Sequence, residues 1–206
     1  MAGLRRRVAL SAMLLLAAAC SSTTWESKWR DPTAQPVNPQ GKTIAALFVS
    51  ADVGKRRAAE DAIVRAIDQR GGRGVAAYTI IPDELLKNSD ATRQKLKDAG
   101  CDGVVVMRVL GQQEKLSYVP GTYAGPGPYP YYGAWGYGWG SVYSPGYMTT
   151  DTEVSVQTLV YSLVQEKLLW AGTSKTVNPT NIDSFVTEVA NAAAYQMSLS
   201  GLLVKS

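Results

Sequence analysis

Lys42-Thr43-Ile44-Ala45-Ala46-Leu47-Phe48-Val49-Ser50 is an apolar run bounded by polar residues, and its reading decides the fold. A run of this length suits a strand covered on both faces. Asp52 to Arg70 follows, with Ala59, Ala62, Ile63, Ala66 and Ile67 recurring at three and four and Gly71-Gly72 as a stop. That spacing predicts a helix. Gly74 to Ile81, ended by Pro82, reads as a second strand. Ser89 is placed to cap a short helix through Asp98, with Gly100 as terminator. Gly103 to Leu110, with Val104, Val105, Val106 and Val109, is the clearest buried strand.

Further along, Thr152 to Leu163 and Leu168 to Thr176 read as a strand pair. In the first, Val154, Val156, Thr158 and Val160 alternate with Glu153, Ser155, Gln157 and Leu159, and the short link Gln165-Glu166-Lys167 predicts an antiparallel hairpin. Pro179 blocks continuation. Thr180 and Asp183 are spaced as a capping box for a last helix over about 181–204, with Ile182, Phe185, Val186, Val189, Ala193 and Leu203 on one stripe. The order is β-α-β-α-β-(insert)-β-β-α. Two helical crossovers imply parallel pairing and the hairpin adds antiparallel pairing, so an α/β fold with a mixed β-sheet is expected.

The 206 residues carry 21 basic and 17 acidic side chains, a net charge of +4. Residues 1–19 hold Arg5, Arg6 and Arg7, no acid, and an apolar run from Val8 to Leu16. They read as an export signal, too short to span a bilayer. Taking those three arginines from the 21 basic residues leaves 18 against 17 acidic, a net of +1. The basicity belongs to the signal, and a nucleic-acid partner is not expected. With no histidine in the chain, His-based triads, His-containing zinc sites and His proton shuttles are excluded.

Ala17-Ala18-Ala19-Cys20 after that apolar run resembles the lipobox of a bacterial lipoprotein signal. The resemblance implies cleavage before Cys20 and a diacylglycerol on its thiol. Ala17 stands where leucine is preferred. Two or three chains hold firmly where one holds weakly. Ser21, in place of the aspartate that retains such proteins in the inner membrane, implies the outer membrane, facing the periplasm. Residues 20–41 then read as the lipidated cysteine and a flexible tether rich in Ser, Thr, Pro and Gln, and 42–206 as one α/β domain. Trp25 and Trp29 interrupt the tether and suit either the lipid interface or packing on the domain. With Cys20 acylated, Cys101 has no disulfide partner and reads as a buried structural thiol.

Lys42-Thr43-Ile44-Ala45-Ala46-Leu47-Phe48, Ala99-Gly100-Cys101-Asp102-Gly103-Val104-Val105-Val106 and Leu163-Val164-Gln165-Glu166-Lys167-Leu168-Leu169-Trp170-Ala171-Gly172 resemble a broad group of periplasmic lipoproteins. Their domain is similar to the amino-terminal domain of the Tol-system translocation protein. The group includes the curli-secretion lipoprotein and an outer-membrane activator of penicillin-binding proteins. The likeness covers about 42–204, insert excepted, and brings no catalytic motif.

The insert, 117–148, has no charged residue. It holds eight of the eleven tyrosines, eight glycines, five of the ten prolines, Trp135 and Trp139. That Gly and Pro density opposes helix and regular strand. Three readings stand: a weakly structured loop, a contact surface for a protein or glycan, and a membrane-inserted hairpin, against which the prolines argue. The contact residues expected are Tyr129, Tyr131, Tyr132, Trp135, Tyr137 and Trp139.

Other chemistry is weak. Gly54-Lys55 lacks the glycine and hydroxyl residue of a phosphate loop, having Val49 and Arg56 there. Gly71-Gly72-Arg73-Gly74 lies between helix and strand, the wrong order for a dinucleotide site. Asp83-Glu84 and Asp151/Glu153 are the candidate carboxylate pairs. The expectation is a non-enzymatic, lipid-anchored envelope protein without cofactor or metal, bound to the bilayer through Cys20 and to an envelope protein or peptidoglycan. The alternatives are a subunit of an oligomeric outer-membrane channel or scaffold and a carboxylate-dependent glycan hydrolase.

Overall fold

A computed structural model describes residues 23–120, 122–124, 142–144 and 147–204. A mixed sheet of six strands forms its centre, in the order β1 (Thr23–Arg30), β8 (Lys167–Val177), β7 (Tyr147–Ser162), β4 (Gly103–Val119), β2 (Thr43–Val49) and β3 (Arg73–Ala76). The apolar runs read above supply the middle: β2 lies parallel to both β3 and β4. β7 pairs antiparallel with β4 and with β8. Glu166 turns the β7–β8 hairpin with a φ of 52°. The mixed-sheet expectation therefore holds.

Strand alternation sorts the core into two sides. Ala46, Phe48, Met107, Val154 and Val156 meet α1 (Val53–Asp68) and α3 (Ile182–Leu199), which pack on each other. Ala45, Val104 and Leu163 point the other way and meet α2 (Ser89–Asp98) through Leu96, with Ile81 and Cys101. A second cluster on the α3 side joins Trp170 and Leu169 to Ala193, Met197 and Leu202.

The boundaries carry several corrections. Residues 21–41 were expected as a tether, yet Thr23–Arg30 forms β1, antiparallel to the edge of β8. Trp25 meets the Trp170 ring edge-on at 5.4 Å between centroids, while Trp29 stays half exposed. Arg30 donates to the carbonyls of Ala34 and Ser200, the latter just past the end of α3, Ala34 is buried, and Val37 bridges to Leu203. Burying Trp25 offsets the entropy that a free segment would keep.

The strand expected through Ile81 stops at Ala76. Buried Glu60 accepts the Tyr78 N–H at 2.7 Å and draws the chain into a short 3-10 turn at Ala77–Thr79. Asn88, not Ser89, caps α2, accepting from Ala91 N. Asn181 caps α3 through Ser184 N, so the Thr180/Asp183 capping box does not form; Asp183 pairs with Arg65 instead. The last helix ends at Leu199, near Gly201 with its positive φ, and Leu203 lies beyond it.

Candidate functional site

β4 and β7 run on past the rest of the sheet. A register shift between Val109 and Gly111 marks a bulge, and from Gly111 opposite Ser155 the two strands stay in step to Val119 opposite Tyr147. Bulges increase twist and re-aim a strand. β8 pairs with β7 only as far as Glu153, so from Glu114 opposite Thr152 outward the ribbon has no third strand among the described residues. Six residues at ~3.4 Å each carry it roughly 20 Å outward. The same register continues in a small ladder between β5 (Thr122–Ala124) and β6 (Val142–Ser144). Both ends of the insert are thus strand, which corrects, for these residues, the expectation that its glycine and proline density opposes regular strand.

Parity fixes which way the ribbon faces. Val154 and Val156 point to the α1–α3 side. Counting back by twos, Thr152, Thr150 and Met148 share that face, and the register places Leu116 and Tyr118 beside them. Leu116 is 73% exposed, Tyr118 63% and Met148 60%. The ribbon therefore extends the core face of the sheet beyond the helices that cover it, and leaves three large apolar side chains in water.

The root of the ribbon is tied down on the opposite face. Lys115 (β4) pairs with Glu153 (β7) at 2.8 Å, and Lys175 (β8) bridges Glu153 at 3.6 Å and Glu26 (β1) at 2.7 Å. This row of alternating charge crosses four strands. The hydrogen bond from Lys115 holds the Glu153 carboxyl below its ordinary range, and that from Lys175 to Glu26 holds the lysine above its own.

Of the candidate carboxylates, Asp83, Asp151 and Glu153 are placed in structural contacts, and Glu84 is exposed. Asp52 caps α1 through Lys55 N, and its carboxylate lies 3.9 Å from the Lys55 ammonium. Asp83 pairs at 2.8 Å with buried Arg56, whose Nε lies 3.5 Å from Glu60. Glu60, 0% exposed, accepts the backbone N–H groups of Phe48 and Tyr78 and braces the ends of β2 and β3. Burial pushes its carboxyl up, against those donors and Arg56. Asp151 accepts from Asn178, and Glu153 belongs to the row above. Cys101 is buried, and burial raises its thiol pKa. Among the described residues no group of His, Cys, Asp and Glu is arranged to hold a metal ion.

Cys20, Tyr129, Tyr131, Tyr132, Trp135, Tyr137 and Trp139 lie outside the described residues. What sequence reading missed was the ribbon face formed by Leu116 and the two ends of the insert. The signal was there in Leu116, Tyr118 and Met148, but their common face needs a strand register that no periodicity in so glycine-rich a segment supplies. Among the described residues no helix is long and apolar enough to cross a membrane.

No protein-family model matches the chain, and no curated protein matches it. Among solved structures it is similar to a PelC dodecamer from Paraburkholderia phytofirmans at 9% identity, covering 89% of this chain and 99% of that one, with a TM-score of 0.49. It is also similar to lipoprotein GNA1162 from Neisseria meningitidis (14% identity, 77% and 99% covered, TM-score 0.40). A minor lipoprotein from Acinetobacter baumannii matches at 11% identity over 79% and 96% of the two chains, with a TM-score of 0.31. Likenesses this distant assign no function.

Proposed function

We propose that this is a lipid-anchored protein of the periplasmic face of the outer membrane that works by binding an envelope partner, not by catalysis. The observation that carries the reading is the β4–β7 ribbon, whose face at Leu116, Tyr118 and Met148 continues the core side of the sheet with nothing among the described residues upon it. A two-stranded ribbon is marginal in water, and a large exposed apolar face costs solubility. Both costs fall when a partner lies against it. The Tyr- and Trp-rich sequence between β5 and β6, with Tyr129, Tyr131, Tyr132, Trp135, Tyr137 and Trp139, supplies side chains that pair a flat apolar face with a polar tip. The anchor is acylated Cys20. An envelope protein or peptidoglycan is the expected partner, and a second copy of the chain, as in a channel or scaffold, is the other occupant the ribbon suits. A non-catalytic role is supported by the pairing of three of the four candidate carboxylates, Asp83, Asp151 and Glu153, which leaves neither candidate pair with both members free.

Cross-linking in the intact envelope, followed by purification, tests this with the full chain and with one shortened by 117–148. A discrete partner recovered with the full chain only is expected, and identical recovery from both would overturn the reading. The mass of the detergent-extracted complex separates a foreign partner from a homo-oligomer. Release of Cys20→Ala into the soluble fraction checks the anchor.

A further inference from the structure

The sheet is not fully packed against its helices. A cavity of about 440 Å³ lies between β4, β7 and β8 on one side and α1 and α3 on the other. It follows the seam between two apolar clusters, where the facing helix positions include Ala66, Ala190, Ala193 and Ala194 beside Ile63, Ile67 and Met197. Four alanines in one seam leave space that larger side chains would have filled. Its exposed lining residues, Gln35, Gln40 and Gln165 among them, lie on the 35–42 segment and the β7–β8 turn, so it opens at that end of the sheet, opposite the ribbon.

One wall position is out of character. Val154, Val156 and Val160 point to the helix side of β7, and Thr158 stands in the same row, 1% exposed. Its Oγ1 is buried and has no hydrogen-bond partner. A buried hydroxyl is ordinarily paired, because leaving it unmade sacrifices its bond to water. Four residues of strand separate Thr158 from Ser162 near the mouth, roughly 13 Å. The hydroxyl thus sits deep on an otherwise apolar wall.

We infer that this cavity is a binding site for a single-chain aliphatic lipid with a neutral hydrogen-bonding oxygen at its leading end, that oxygen seated on Thr158 and the chain lying along the alanines of α1 and α3. The volume falls within the ~300–1,000 Å³ of ordinary ligand sites. At the ~30 Å³ of one water-sized group, it holds a chain of about ten carbons with its oxygen and some slack. A charged head is disfavoured at the deep end, because the charged lining residues, Lys42, Arg70 and Asp102, all stand at the mouth, before β2, after α1 and before β4, where Lys42 pairs with Asp102 and Arg70 donates to Ala66 O and Asn191.

The test is titration of the full chain with 1-decanol and, separately, decanoate at neutral pH, read by backbone amide shifts. Decanol is expected to shift and saturate amides of β7, α1 and α3. Thr158→Val keeps the shape and is expected to weaken decanol roughly three- to tenfold, the worth of one hydrogen bond, with the melting temperature unchanged or raised. Ala193→Phe, which fills the seam, is expected to abolish binding. Absence of amide shifts with decanol overturns the inference, as does unchanged affinity in Thr158→Val. Tighter binding of decanoate, lost in Lys42→Gln, overturns the deep seat by placing the head at the mouth.

Discussion

Replacing Gly172 with alanine tests whether the segment before residue 42 belongs to the fold. A β-carbon at Gly172 would stand 2.3 Å from Cη2 and 2.9 Å from Cζ2 of Trp170, and 2.5 Å from Cζ3 of Trp25. Ordinary contact begins near 3.4 Å, so two rings must each withdraw by about 1 Å. Trp170 is buried against Leu169, Ala193 and Met197 and has little room to give. Overpacking of this kind costs ~1–3 kcal/mol. For a domain of this size that lowers Tm by roughly 2–12 °C. Denaturant unfolding followed by tryptophan fluorescence measures it. Trp25→Ala alone is expected to destabilise, and in the Gly172→Ala background to cost about 1 kcal/mol less, because one of the clashing rings is gone. A neutral Gly172→Ala together with a neutral Trp25→Ala would refute the docking of β1 and restore a free tether.

Other outcomes follow from the same contacts. Burial raises the Glu60 carboxyl above its ordinary 4.5, so the folded state holds that proton more firmly than the unfolded state. Its contribution is full below pH 4.5 and is lost as pH rises through the raised value; Glu60→Gln should flatten that part of a stability–pH profile. Arg56→Met leaves Glu60 buried beside one fewer cation and should cost about 3 kcal/mol in denaturant unfolding. Asp31 is held at about 2, chiefly by its hydrogen bond from Lys167. That contribution is full above pH 3.8 and lost as pH falls toward 2, and Asp31→Asn should remove the slope there. Cys101 should resist thiol reagents in the folded protein and react on unfolding, as mass spectrometry would record. Leu116→Ser with Tyr118→Ser should shift stability by less than about 0.5 kcal/mol, since both side chains lie in water, yet abolish partner recovery.

The central strands were legible because residues 44–48 of β2 and 104–107 of β4 are covered on both faces and so are apolar in sequence, a signal independent of context, whereas Val109 and Leu110, expected in the same buried strand, are exposed. α1 was legible from its alanines and isoleucines at three and four. β1 was hidden: Thr23–Arg30 mixes Trp with Glu, Lys and Arg, and what makes it a strand is a groove beside Gly172, far away in sequence. The early end of β3 is hidden too, because the Glu60 carboxylate that captures Tyr78 N comes from another element. Caps shifted by one residue, to Asn88 and Asn181, since asparagine, serine and threonine compete for the role and local geometry selects among them. For the site, the sequence located the insert, but its ribbon follows from long-range register. Thr158 was visible as the hydroxyl in a row of valines, and its lack of a partner is a tertiary fact.

The claim that matters most is that the ribbon is where a partner lies. A photo-reactive amino acid placed at position 118 or 148 in cells, with position 94 on the exposed face of α2 as control, measures this directly. The account predicts one discrete adduct from 118 and from 148 and none from 94. No adduct from either ribbon position, or the same pattern from all three, would contradict it.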